Sequence, residues 1–176
     1  MNIPKRLVAS LLMLAASALA GAQDHHPYAG QHERSVKALS DDEIKQYLAG
    51  AGMGYAKAAE LNGYPGPMHV LELADKLALS AEQRDATRRL MDSHKAEARA
   101  IGAKRVDAEK RLDALFQAGK LDEPALAAAV RATAAIEGEY RLSHLETHRR
   151  ARALLSDEQV RRYNELRGYG AAKHTH

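Results

Sequence analysis

His144 and His148 stand four residues apart in YRLSHLETHRR (140–150), within a stretch that reads as a long helix. At that spacing two imidazoles share one helix face and can address one ion. His94 lies on a second long helical stretch, with Met91 three residues before it, and His69 precedes both. The chain has nine histidines, five methionines and no cysteine, so any metal must be held by His, Met, Asp or Glu. Imidazole with optional thioether suits zinc, copper, nickel or cobalt, not magnesium or calcium. Glu97 and Glu146 are positioned to add a carboxylate or outer support, or to remain solvated. The competing role for these histidines is a polar layer in a bundle that sets its register.

Other chemistries fit poorly. HLETH (144–148) is not the zincin pattern, in which glutamate directly follows the first histidine. Gly50, Gly52 and Gly54 alternate with the wrong spacing for a dinucleotide loop, and no strand precedes them. No nucleophile–base pattern is present, so neither enzymatic function nor an organic cofactor is expected. A start at Gln23-Asp24-His25 would place a histidine third from a free amine, a square-planar set for Cu(II) or Ni(II).

The histidines need helices to position them. LSAEQ (79–83) and LSDEQ (155–159) carry the same start signal, with Ser80 and Ser156 as N-caps and Glu82-Gln83 and Glu158-Gln159 available for capping boxes. LSDDE (39–43) is a weaker copy opening a short helix that ends at Gly50. Pro67 begins a helix over PMHVLELADKLA, after a breaker-rich segment containing Asn62-Gly63 and Pro65-Gly66. Long helices are predicted over about 80–118 and 122–154, and a final one over about 156–166. Their seams run through Leu90, His94, Ile101, Ala108, Leu112 and Leu115, and through Leu126, Val130, Thr133, Glu137, Tyr140, His144, Thr147 and Ala151.

A turn near residue 119 or 120 makes the long helices antiparallel, with residue n opposite about 239 minus n. His94 then meets position 145, and His94, His144 and His148 converge. The helix from Pro67 folds back to bring His69 near Met91. The predicted fold is all-α: a long antiparallel helical hairpin with shorter flanking helices.

Residues 1–22 read as a secretory signal peptide: a basic start, an apolar run of 14 and small residues ending at Ala22, with Ala20 as the competing cleavage point. An uncleaved anchor is the alternative. Residues 23–38 read as a flexible arm, 39–168 as the helical domain and 169–176 as a flexible tail. Removing Lys5 and Arg6 with the leader leaves 24 basic against 23 acidic residues, a net charge of +1. That balance, without blocks of like charge, argues against nucleic acid as a partner. The leader implies a periplasmic protein with no stable membrane insertion after cleavage.

The ordered pair of Leu-Ser-x-Glu-Gln segments resembles the LTxxQ-motif family, the Spy/CpxP-like periplasmic chaperones and related heavy-metal-resistance sensors. Ser80 and Ser156 stand where the pattern has threonine, which preserves the cap. ELNGYPGPMHVLELADKLALSAEQ and HLETHRRARALLSDEQVRRYNELRGY look like the metal-resistance branch, and the likeness spans roughly 39–170. It implies long antiparallel helices hooked by shorter ones, paired as a homodimer. It also implies either ATP-independent binding of unfolded clients in envelope stress, or metal sensing with an envelope signalling partner. Sensor members bind cobalt or nickel through histidines on the first helix and a His-x-x-x-Met on the last long one. This chain has His69 alone at the first place and His144/His148 at the second. The expected ligands are His94, His144, His148 and His69, with Met91 as a further candidate. A holdase without metal would instead use apolar residues flanked by Arg84, Arg88, Arg89, Arg149 and Arg150.

Overall fold

A computed structural model describes residues 27–119 and 121–169. The leader, residues 23–26 of the arm and residues 170–176 of the tail lie outside them. Residues 27–32 are the described part of a first compact unit (1–32), where the Gln31 N–H donates to the Tyr28 carbonyl at 3.0 Å. The second unit, 33–176, carries six helices: α1 (Asp41–Ala49), α2 (Lys57–Glu60), α3 (Pro67–Glu72), α4 (Ala81–Gln117), α5 (Glu123–Ala153) and α6 (Asp157–Leu166). The chain is all-α, and no strand occurs among the described residues. No described helix is long and apolar enough to cross a membrane.

Helix ends follow local chemistry. Ser40, Ser80 and Ser156 each cap a helix through a complete capping box. Its third-position partner is Glu43 in α1 but Gln83 and Gln159 in α4 and α6, so the neighbouring Glu82 and Glu158 are not the closing residues. Asp122 caps α5, and Gly119 takes a left-handed φ of 65° that ends the hairpin's first arm. The helix expected over 67–78 is shorter than predicted. It ends at Glu72, and a turn with Ala78 at φ 48° redirects the chain toward the Ser80 cap.

The long helices α4 and α5 pack antiparallel, in the register expected from the turn. Arg89 and Leu90 line one groove with Arg149 and Arg150, and Ala108 lines another with Ala132. Helices α1 and α3 pack on α4, while α2 and α3 reach α5. Where α1 crosses α4, a methyl at Gly102 would overlap the Tyr47 carbonyl, so only glycine allows this approach.

Two apolar clusters result. One joins Val36, Leu39, Tyr47, Ala98, Ile101, Val106 and Tyr140; the other joins Val70, Ala74, Leu77, Leu79, Leu155, Val160 and Tyr163. Val36 is fully buried, so the predicted arm is anchored at its C-terminal end. Toward the hairpin tip the predicted seam opens: Leu112, Leu115 and Leu126 are only partly buried and Val130 is about half exposed.

The two Leu-Ser-x-Glu-Gln segments, 76 residues apart, meet in space. The Gln83 amide donates to Gln159 Oε1 at 2.9 Å, and the Gln159 amide donates to Gln83 Oε1 at 3.0 Å. Each amide also donates to a carbonyl at the other's chain reversal, Gln83 to Leu154 at 2.9 Å and Gln159 to Leu77 at 3.2 Å. Gln83→Ala or Gln159→Ala is expected to cost about 1–3 kcal/mol, because each strands part-buried partners. The double variant should cost less than the two singles together. Urea unfolding of all three measures this, and strict additivity would show that the amides act independently.

Candidate metal centre

The predicted meeting of α4 and α5 brings His94 and His144 into contact. Their ring centroids are 4.5 Å apart, edge to face. His144 is 4 % exposed; His94 is partly exposed at the helix surface. The pair lies between the two apolar clusters, one turn before Ala98 on α4 and one turn after Tyr140 on α5.

The tautomer of His144 follows from its surroundings. Its Nδ1 stands 2.9 Å from the Tyr140 carbonyl, an acceptor only, so Nδ1 carries the proton and Nε2 keeps a lone pair. That Nε2 is buried without a hydrogen-bond partner, as is Nδ1 of His94. The Ala51 carbonyl accepts the Tyr140 hydroxyl at 2.6 Å and also acts on the His144 ring as a poorly aligned hydrogen-bond acceptor that favours its charged form. Tyr140 stacks beside His144 at 4.6 Å, and Tyr47 and Tyr55 pack edge-on against Tyr140 at 5.2 and 5.4 Å. The imidazole pair therefore has one tyrosine-lined, poorly hydrated side.

Both rings are held neutral. Burial first, then the charges that His144 and His148 would carry, push His94 down to about 4. His144 is lowered chiefly by burial, against the opposing pull of the Tyr140 carbonyl. Neutral rings with unshared lone pairs are the form in which histidine binds metal.

His148 turns elsewhere. Its Nδ1 donates to the Tyr64 carbonyl at 2.8 Å and lies 3.6 Å from Glu60 Oε2. A Cβ on Gly66 would stand 3.0 Å from His148 Nε2, so glycine leaves the space this ring occupies. His69 is beside the same carboxylate, with Nδ1 3.7 Å from Glu60 Oε1. The four predicted histidines thus form two groups, His94 with His144 and His69 with His148 around Glu60. Met91 is half-buried one turn before His94 on α4. Among the described residues no three His, Asp or Glu side chains are gathered as a ready metal cage.

Glu60 was not singled out by its sequence, yet it organises the second group. It accepts the Gly66 N–H at 3.0 Å and the Tyr163 hydroxyl, and Arg167 Nε lies 3.9 Å away. Its carboxylate ties α2 to the 64–66 loop and α6. Nothing in ELNGYPG marks it, because beyond the local Gly66 and His69 its partners His148, Tyr163 and Arg167 come from roughly 90–110 residues downstream.

No protein-family model, curated protein or solved structure matches the chain.

The lowered His94 pKa has a consequence for stability. A folded-state value below the unfolded one, about 6.5, means that the neutral ring favours the folded chain. This contribution is complete above about pH 6.5 and is lost as pH falls through about 4. The charged groups that act on the pair are His148 and Glu97. His94→Leu should therefore flatten the dependence of Tm on pH over that range, by on the order of 1 kcal/mol given the ring's partial exposure. Calorimetry across the range checks this; an unchanged slope would mean that His94 is not buried as a neutral base.

Proposed function

We propose that this chain is an exported, periplasmic metal-binding protein of the heavy-metal sensing or resistance type, similar to the Spy/CpxP-like LTxxQ family. The observation that supports it is the pair of touching imidazoles with unsatisfied, buried nitrogens, His94 Nδ1 and His144 Nε2. An orphaned buried polar atom costs about 1–3 kcal/mol, and each of these two would gain a partner if an ion entered between the rings. The Tyr140 carbonyl fixes the His144 tautomer as outer-shell groups do for metal-bound histidines.

His148, one turn further along α5, is the next candidate ligand and His69 a more distant one, both held at present by the Glu60 group. Metal entry at the hairpin seam would favour whichever arrangement of helices, or of two protomers in a homodimer, holds the ligands together. Such a shift is what an envelope signalling partner would read.

Titration of the tag-free mature protein with zinc, copper, nickel and cobalt tests this. Calorimetry reads binding of all four ions, and the fluorescence of the seven tyrosines, with no tryptophan present, adds quenching by the open-shell ones. Binding that His144→Ala and His94→Ala weaken is expected. If neither variant alters the titration, the seam is not a metal site.

A second reading has its own observation. An open groove of about 550 Å³ between α4 and α5 has an apolar floor of Ala86, Leu90, Ala153 and Leu154, rimmed by Arg89, Arg149 and Arg150. Arg149 is tied to Glu146, but no described carboxylate forms an ion pair with Arg89 or Arg150. Such a surface suits unfolded clients of an ATP-independent holdase with no metal requirement. In an aggregation assay on an unfolding client, this reading expects protection at stoichiometric chain and less protection from Arg89→Glu/Arg150→Glu. Equal aggregation with and without the chain would exclude it.

A further inference from the structure

Resting on the metal-binding reading of the same site, we infer that the ion His94 and His144 take is monovalent and soft, copper(I), rather than zinc, nickel or cobalt. The geometry supplies donors for low coordination only. Two imidazoles meet at the seam, and no third His, Asp or Glu among the described residues completes a cage with them. Tetrahedral zinc wants four ligands, commonly including thiolate or carboxylate, and nickel and cobalt want more. A closed-shell monovalent ion is satisfied by two nitrogens in line, or by two nitrogens and a thioether.

Of the further donors at helical spacing, Glu97 is exposed and His148 is held by the Tyr64 carbonyl, which leaves the soft one, Met91. Met91 is three residues before His94, on the same side of α4, and is half-buried. Thioether selects copper(I) among the candidate ions. Glu97, three residues after His94, is exposed, and a carboxylate there would favour a harder divalent ion.

Charge adds a second reason. His144 is 96 % removed from solvent by its 4 % exposure, and the neighbouring wall is the Tyr47–Tyr55–Tyr140 cluster. Neutral donors in a dry setting offset the desolvation of one positive charge far more readily than two.

The present contact also states which ring moves. An ion about 2 Å from each of two imidazole nitrogens sets the ring centroids roughly 6 Å apart, against 4.5 Å between the touching rings. His144 is pinned by the Tyr140 carbonyl and deeply buried, whereas the partly exposed His94 ring has no hydrogen bond on its buried nitrogen. His94 therefore swings outward by a rotamer change while His144 stays in place.

The test is an anaerobic competition of the tag-free mature chain against a colorimetric cuprous chelator, with parallel zinc, nickel and cobalt titrations. One equivalent of copper(I) should be retained. His94→Ala and His144→Ala should each weaken retention by roughly tenfold or more, and Met91→Leu by less. Asp107→Asn, an exposed position more than three turns further along α4, should leave it unchanged. Histidines elsewhere, including the arm and tail, are held constant by comparing these variants. Circular dichroism separates loss of binding from loss of fold. If a variant unfolds, nitrogen-15 NMR of the silver(I)-loaded native chain reads the same two rings, with metal coupling expected at both and the larger shift at His94. Zinc, nickel or cobalt binding that depends on His94 and His144, with copper(I) surrendered to the chelator, would overturn this inference and leave the metal-binding function intact. Failure of the native chain to bind any of the four ions would overturn both.

Discussion

The reciprocal hydrogen bonds between the Gln83 and Gln159 side-chain amides hold the architecture in register. Each glutamine closes its own capping box through its carbonyl oxygen and spends its two amide protons on the other segment. The start of α4 is thereby joined to the start of α6, and both chain reversals, at Leu77 and Leu154, are fixed to the same node. At the opposite end the α4–α5 turn is limited by Gly119 and the Asp122 cap. A hairpin fixed at both ends cannot slip by a turn, since either the amide pair or the cap would be lost. The meeting of His94 with His144 is a consequence of that constraint.

The two histidine groups illustrate opposite uses of burial. Around Glu60 polar partners are abundant: a backbone N–H, a tyrosine hydroxyl, two imidazoles and a guanidinium lie within 4 Å of the carboxylate. Such a satisfied network specifies how the 64–66 loop and α6 sit on α5. Between His94 and His144 the polar groups are instead under-used, with two nitrogens lacking partners. Native chains keep few such orphans, and each one calls for a water, an ion or a local strain to account for it. The apolar clusters on either side stabilise the fold enough to carry that local cost.

Much of this chain was legible from short-range rules. The caps at Ser40, Ser80, Ser156 and Asp122, the stops at Gly50 and Gly119, and the extents of α4, α5 and α6 each depend on a few neighbouring residues. The register that pairs His94 with His144 follows from the turn position by counting. Less legible were the shortened α3, the buried Val36 and the role of Glu60, because each depends on what a distant segment presents. Val36 is apolar within a polar stretch, and only its seat against Tyr47, Ile101 and Tyr140 makes it core.

The amino-acid sequence by itself determined an all-helical hairpin and which helix faces carry imidazoles, since capping and 3.6-residue periodicity are local properties of the backbone. Only the tertiary structure decided that the four histidines separate into two groups. Four residues along a helix rotate a side chain by about 40°, so His144 faces α4 while His148 faces the loop that α2 and α3 bring over α5. Which neighbour covers each of those directions is set by chain reversals far away in sequence, and no local spacing encodes it.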